Sequence, residues 1–291
     1  MQGPTASGKT ALAIALAKHF STVILSADSR QFYKEMSIGT AKPSLEEQDG
    51  IKHYFIDSHS VENPVSAADF EKEALQVLEL EFQFHDKIIL VGGSGMFISA
   101  LINGLDEIPN DIELRDKLSQ EVSEKGLEVL LEELKEKDLK YYNQVDRSNA
   151  VRIIRAIEAI RLSGQKYSVL RQKSVKERNF ESIRFVIDLP REVLYDRINR
   201  RVELMFAAGL LDEVESLIHF KNLQTLNTVG YKELFSFFNN EISLVEANEA
   251  IKQNSRRYAK RQLTWFRRDE EAIWLKTQTT KEQVEEVLKN I

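Results

Sequence analysis

The sequence contains no cysteine. Disulfide frameworks and thiolate-ligated metal sites are therefore excluded. Proline (5) and glycine (12) are sparse in 291 residues, so neither a collagen-like repeat nor a disordered linker is present, and each cluster of glycines stands out as punctuation. No apolar run approaches the ~18 residues that a membrane span needs, and no leader-like segment opens the chain. A cytoplasmic protein with no membrane partner is expected. Positive charge is not in excess: 40 Lys and Arg against 46 Asp and Glu give a net charge of −6. That balance argues weakly against nucleic acid, although a local basic face can dominate binding. The length and a hydrophobic content of 42% suit one large domain or two smaller ones.

The most informative stretch is Gly3-Pro4-Thr5-Ala6-Ser7-Gly8-Lys9-Thr10. It matches G-x-x-x-x-G-K-[ST], in which glycines let successive N–H groups curl around phosphate oxygens. Lys9 adds a positive charge and the Thr10 hydroxyl offers a Mg²⁺ ligand. Residues 11–20 are rich in helix formers, which puts the loop at a helix N-terminus, where anions are favoured. Such a loop follows a β-strand, yet only Met1 and Gln2 precede it. The expectation is a missing or truncated first strand.

Residues 22–26 and 53–57 read as short buried strands, and 87–91 as the clearest one. Asp28 follows the first, at the strand end where α/β proteins place chemistry. It suits a Mg²⁺ ligand or a general base, or simply the N-cap of a turn. Thr40 and Lys42 lie in a turn-like stretch and are read as a solvated loop rather than phosphate ligands. Ser66 is placed to cap a helix from Ala67 to about Phe84. The 87–91 strand runs into Gly92-Gly93-Ser94-Gly95. Nucleotide hydrolases commonly carry an acidic metal-holding residue after such a strand, so the glycines point to close approach by a ligand, or only to a tight turn.

From Ile112 to about Arg171 the chain is charged and helical in pattern, with Leu127, Leu130, Leu131 and Leu134 as a packing stripe. Asn149, Arg152 and Arg155 share one helix face. That face suits phosphate binding, and the spacing allows ion pairs with neighbours such as Glu158 equally well. Residues 184–190 return to a strand and Arg191 opens a helix that keeps Leu194, Ile198, Val202 and Met205 in register. From Asn248 to Arg268 basic residues recur (Arg256, Arg257, Lys260, Arg261, Arg267, Arg268) with Tyr258, Trp265 and Phe266 among them, the local basic stripe an acidic protein needs to hold RNA. The expected fold is α/β: a P-loop NTPase-like parallel sheet flanked by helices, with an all-helical insertion. The expected divisions are a first core part over 1–111, the insertion over 112–178, and a second core part over 179–291. On the phosphate loop alone, an ATP-binding small-molecule kinase or NTPase remains an alternative, as does a non-catalytic RNA binder.

Taken together and in order, the phosphate loop, Asp28-Ser29-Arg30-Gln31-Phe32-Tyr33, Ile38-Gly39-Thr40-Ala41-Lys42-Pro43, Leu90-Val91-Gly92-Gly93-Ser94, Asn149-x-x-Arg152-x-x-Arg155-Ala156-x-Glu158, Val229-Gly230-Tyr231-Lys232 and Lys260-Arg261-Gln262-x-x-Trp265-Phe266-Arg267 resemble the tRNA dimethylallyltransferase (tRNA isopentenyltransferase) family over nearly the whole chain. The lack of a cysteine-based zinc module is similar to bacterial members. The resemblance implies transfer of a dimethylallyl group from dimethylallyl diphosphate to the exocyclic N6 of the adenine 3′ of the anticodon, with release of diphosphate. It implies that Gly3, Pro4, Thr5, Ala6, Ser7, Gly8, Lys9 and Thr10 cradle the diphosphate, with Mg²⁺ on Thr10. Asp28 is then the base, and Lys9, Thr10 and Ser94 (often Thr in the family) complete the catalytic set. Asp28, Ser29, Arg30, Gln31, Val151, Arg152, Ile153, Ile154, Arg155, Gly230, Tyr231, Lys232, Arg256, Lys260, Arg261 and Arg267 are the implied tRNA contacts. The insertion would grip the anticodon stem-loop, and a monomer is expected.

Overall fold

The computed structural model describes residues 1–172, 175–277 and 279–291. Residues 173 and 174 of the expected 112–178 insertion lie outside the described residues. The chain divides into two compact units, one of Met1–Ile102 with Arg178–Ile291 and one of Asn103–Glu177.

The first unit begins with α1 (Lys9–Phe20), β1 (Ile24–Ser26), α2 (Leu45–Gln48), β2 (His53–Tyr54), α3 (Ala67–Glu81), β3 (Ile89–Val91) and α4 (Gly95–Asn103). β1 and β3 form within the apolar runs of the sequence, β1 fully buried at the centre of the sheet, as a covered parallel strand requires. β1 pairs in parallel with β2 and with β3. Ser66 caps α3 in a reciprocal box with Asp69, which fixes the start that the sequence indicated. Phe70, Ala74 and Leu78 of α3 are buried.

The second unit contains α5 (Ile112–Lys125), α6 (Glu128–Lys137), α7 (Leu139–Tyr142), α8 (Ala150–Ser163) and α9 (Tyr167–Leu170). Among its described residues there is no strand. Leu118, Leu130, Leu134, Ile153, Ile154 and Ile157 form its core, so the leucine stripe packs helices together. Glu158 is fully buried within this unit and takes the Arg115 and Arg155 guanidiniums and the Asp111 N–H. Burial acts to raise its pKa, but these partners outweigh it and hold the carboxylate below its usual range.

The chain then completes the first unit with β4 (Phe185–Ile187), α10 (Arg191–Ala207), α11 (Leu210–Ser216), α12 (Tyr231–Phe238), α13 (Leu244–Phe266), β5 (Ile273–Leu275) and α14 (Thr280–Leu288). β4 and β5 pair in parallel. The missing central strand is corrected by the structure. Gln2 bridges Gly92 on one side and Val186 on the other, both in parallel. Its N–H donates to Phe185 O at 2.7 Å and its carbonyl accepts from Ile187 N at 3.0 Å. Met1 O accepts from Gly92 N at 3.1 Å. Two residues thus fill the lane between β3 and β4, join the two sheets, and deliver the phosphate loop at the strand end. Among the described residues no helix is long and apolar enough to cross a membrane.

Candidate active site

The phosphate loop connects Gln2 to α1. Gly8 is the N-cap of that helix, in the left-handed region at φ 93°, and no side chain caps the helix and no acid stands in its first turn. Its first amides and the positive end of its dipole are therefore left for an anion. The loop walls a cavity of about 930 Å³ with Asp28, Gln31, Thr40, Arg197 and Arg201. A second cavity of about 320 Å³ shares Thr5, Lys9, Asp28, Thr40 and Arg201, and adds Ser29, Arg30, Lys232, Tyr258, Arg261 and Gln262. Both cavities lie within the first unit.

Packing behind the wall fixes Asp28. Phe32, fully buried, stacks on Phe70 at 5.7 Å and meets Phe55 and Phe97 at 6.2 and 5.6 Å. Aromatic pairs of this kind contribute about 0.5–1.5 kcal/mol each beyond burial. They tie the segment after β1 to α3 and α4. The Asp28 carboxylate accepts one local bond, from Arg30 N at 3.2 Å, and it begins no helix. Gln31 turns inward and donates to the carbonyls of Thr40 and Ala41, each at 3.3 Å.

Three side chains to which the sequence gives no site role of their own line these cavities. Arg201 of α10 donates to Thr5 Oγ1 at 3.2 Å and to Ala41 O at 3.3 Å. Burial holds its guanidinium below the usual arginine value, while the carboxylates of Asp28 and Glu47 pull the other way. Its neighbours Ile198 and Val202 are core, so a charged residue on a largely apolar stripe was the available signal. Tyr258 of α13 lines the smaller cavity; burial, then the Asp28 carboxylate, push its phenol up to about 12. Gln262, also on α13, is buried. It accepts from Thr5 N at 2.9 Å and donates to Gly93 O at 2.9 Å, so it ties the phosphate loop to the turn after β3.

That turn corrects one expectation. A Cβ on Gly92 would lie 2.2 Å from Ala27 O, one on Gly93 2.3 Å from Gln262 Nε2, and one on Gly95 2.1 Å from the Trp265 ring. The close approach is by the protein's own β1 end and α13, not by a ligand. Ser94 lies just behind the wall: its hydroxyl accepts from Ser29 N at 3.0 Å and donates to Ser29 Oγ at 3.1 Å. It lines neither cavity. Lys42 is not solvated; its ammonium is spent on Tyr33 O at 2.7 Å and on Asp57.

Several implied tRNA contacts are corrected as well. Ile153 and Ile154 are core residues of the helical unit, because the face of α8 opposite Arg152 must bury an apolar stripe. Arg155 is consumed by Ile108 O, Pro109 O and Glu158. Removing it would leave a buried carboxylate short of a partner, a cost on the order of a few kcal/mol. Val151 and Arg152 are exposed. Tyr231 is 0% exposed, and Gly230 is buried with its N–H given to Glu233. Lys232 is exposed. Arg256 is half-buried and donates to Asn199 Oδ1 at 2.5 Å, whereas Lys260, Arg261 and Arg267 are exposed. Arg30 reaches across to Thr225 O at 2.9 Å.

Charge organises the centre. Burial lowers the Lys9 ammonium to about 8, with Asp28 raising it and Arg201 lowering it further. Lys9 is thus charged below about pH 8 and loses its charge above. With anionic substrate, kcat/KM is expected to be governed by Lys9 on its alkaline side, falling about tenfold per pH unit above 8. A Lys9→Arg variant should push that limb beyond reach, since arginine stays charged. A flat profile to pH 10 in the unmodified protein would contradict the assignment.

A family model described as IPP transferase matches residues 31–269. The chain belongs to the IPP transferase family. It is 49% identical over 273 residues to the tRNA dimethylallyltransferase of Cytophaga hutchinsonii, covering 94% of this chain and 90% of that protein. It is 47% identical to that of Christiangramia forsetii, with the same coverage. Among solved structures, the tRNA isopentenylpyrophosphate transferase of Bacillus halodurans superposes with a TM-score of 0.72 at 34% identity, over 99% of this chain and 93% of that one. A eukaryotic dimethylallyltransferase acting on tRNA superposes at 0.79 with 22% identity over 99% of this chain and 78% of that one, a likeness of fold. The IPP transferase chain is thus a mixed α/β protein with a small parallel sheet, and a transferase.

Proposed function

We propose that this IPP transferase moves a dimethylallyl group from dimethylallyl diphosphate to the exocyclic N6 of the adenine 3′-adjacent to the anticodon in tRNA, releasing diphosphate. The observation that carries the reading is one cavity wall that brings an uncapped helix N-terminus, Lys9, Arg201 and Arg197 together with the carboxylate of Asp28. The cations suit a diphosphate that gains charge as it leaves, and the carboxylate suits the proton that must go. The allylic C–O bond breaks, the N6–C bond forms, and the N6 proton passes to Asp28. Stabilising charge on the leaving oxygens is the larger share of such catalysis. The apolar residues Ile198, Val202, Met205, Val229 and Ile251 on the smaller cavity suit the hydrocarbon part of the donor. The fold is read as a P-loop-type core in which the 112–178 helical insertion receives the anticodon stem-loop. An anticodon-loop adenine leaves its stack more cheaply than a duplex base.

Mg²⁺ fits this wall. Thr10 lines the larger cavity, and a hydroxyl is a hard oxygen donor that suits the ion. Among the described residues no cluster of three or more His, Cys, Asp or Glu offers an all-protein cage, which Mg²⁺ on a diphosphate does not need. When bound, the ion neutralises charge on the diphosphate oxygens.

The test is diphosphate release. Release should require both dimethylallyl diphosphate and tRNA, and an isolated anticodon stem-loop should serve as acceptor. Release without RNA, or ATP turnover with a metabolite, would move the reading to a hydrolase or a kinase. For the RNA face, Lys260→Ala, Arg261→Ala and Arg267→Ala should each weaken tRNA binding and lower the slope of log K against log salt by about 1. Slopes unchanged in all three would remove α13 from the interface.

A further inference from the structure

The loop between β1 and α2 carries a backbone arrangement that ordinarily binds an anion: three successive N–H groups aimed at one point. Here the chain fills it with its own carboxylate. Glu213 Oε2 accepts from Ser37 N at 3.0 Å and from Ile38 N at 2.7 Å. Its Oε1 accepts from Gly39 N at 2.9 Å and from the Tyr231 hydroxyl at 2.6 Å. Gly39 closes the clamp by shape, since a Cβ there would lie 2.5 Å from the Tyr231 ring. Burial, then the Glu213 carboxylate, push the Tyr231 phenol far above its usual value, so it remains a donor.

What the clamp holds faces the cavities. Directly after it come Thr40, which lines both cavities, and Ala41, which lines the larger. Ala41 sits at φ 47°, a left-handed conformation that a non-glycine residue keeps only when its surroundings impose it. Its carbonyl is the one that Arg201 grips at 3.3 Å, and Gln31 grips it as well. Glu213 itself lines neither cavity.

We propose that Glu213, buttressed by Tyr231, is a positioning residue for the donor: it sets the 37–41 loop so that the Ala41 carbonyl holds Arg201 over the phosphate loop. This rests on the reading of that wall as the diphosphate site. It accounts for a Gly-Tyr motif whose tyrosine cannot reach RNA. Glu213 acts through Arg201 and touches no substrate.

The experiment is steady-state kinetics with both substrates varied, on the full chain and on Glu213→Gln, Tyr231→Phe and Arg201→Ala. An amide at 213 can satisfy at most one pair of the four donors. Glu213→Gln is expected to raise KM for dimethylallyl diphosphate tenfold or more while KM for tRNA moves less than twofold. Tyr231→Phe removes one donor and keeps the ring against Gly39, so a rise of about threefold in donor KM is expected. In an Arg201→Ala background, Glu213→Gln should add less than twofold. A purely structural role would lower apparent kcat through the folded fraction and leave both KM values alone; that result overturns the proposal. So does a Glu213→Gln effect that multiplies fully with Arg201→Ala. If Glu213→Gln does not fold, Tyr231→Phe decides by the same split in KM. Loss of transfer in the unsubstituted protein would instead strike the functional reading, so the two failures are distinguishable.

Discussion

Asp28→Ala is expected to lower kcat for dimethylallyl transfer by 10²–10⁴-fold, the usual worth of a positioned general base, while the Kd for tRNA changes less than about threefold. The N6 lone pair is shared with the adenine ring, so the amine is a poor nucleophile until its proton can leave. Asp28 borders both cavities, and its carboxylate accepts a local hydrogen bond from Arg30 N. Its charge also acts on its neighbours. Because the Asp28 carboxylate raises the Lys9 pKa, Asp28→Asn should move the alkaline limb of kcat/KM to lower pH. Single-turnover rates with saturating tRNA, together with filter binding, separate the two effects. Transfer within tenfold of the unsubstituted protein would remove Asp28 from the chemistry.

The second large effect belongs to Arg201→Ala, expected to cost about 10²–10³-fold in kcat/KM, the scale seen when a preorganised charge-stabilising donor is lost. The guanidinium is held by Thr5 Oγ1 and Ala41 O, so its charge is in place before the diphosphate arrives and needs no reorganisation during the reaction. Arg201→Lys keeps the charge but not the planar fork, and should recover only part of the loss. Since Arg201 lowers the Lys9 pKa, Arg201→Ala should shift the alkaline limb upward, opposite to Asp28→Asn. Opposite shifts from two neighbours are hard to obtain from misfolding. A loss below tenfold, or shifts of the same sign, would contradict the arrangement.

What could be read from sequence was local. The phosphate loop, the strand that ends before Asp28 and the Ser66 cap each depend on residues within a few positions of one another, and each formed where its chemistry required. The Leu130 and Leu134 stripe behaved likewise. The failures were tertiary. Arg201, Tyr258 and Gln262 reach the site from α10 and α13, and no spacing near the phosphate loop points to them. Tyr231, Arg155, Ile153 and Ile154 belong to motifs that resemble a substrate-binding family, yet their side chains serve the packing: a motif records which residues a fold needs without saying which face they turn. The central strand was read as missing because two residues are too few for a sequence pattern, while the Gln2 bridges to Gly92 and Val186 depend on neighbours some 90 and 180 residues away. The short strand β5 went unread as well.

The most direct measurement is to incubate the protein with unmodified tRNA, Mg²⁺ and dimethylallyl diphosphate labelled in the allyl group, and then to digest the RNA and locate the label. The account predicts label on N6 of the adenine 3′ of the anticodon, one diphosphate released per group transferred, and both at a rate at least about 10²-fold lower with Asp28→Ala. Unlabelled tRNA from a folded protein, or diphosphate released without label in the RNA, would contradict it.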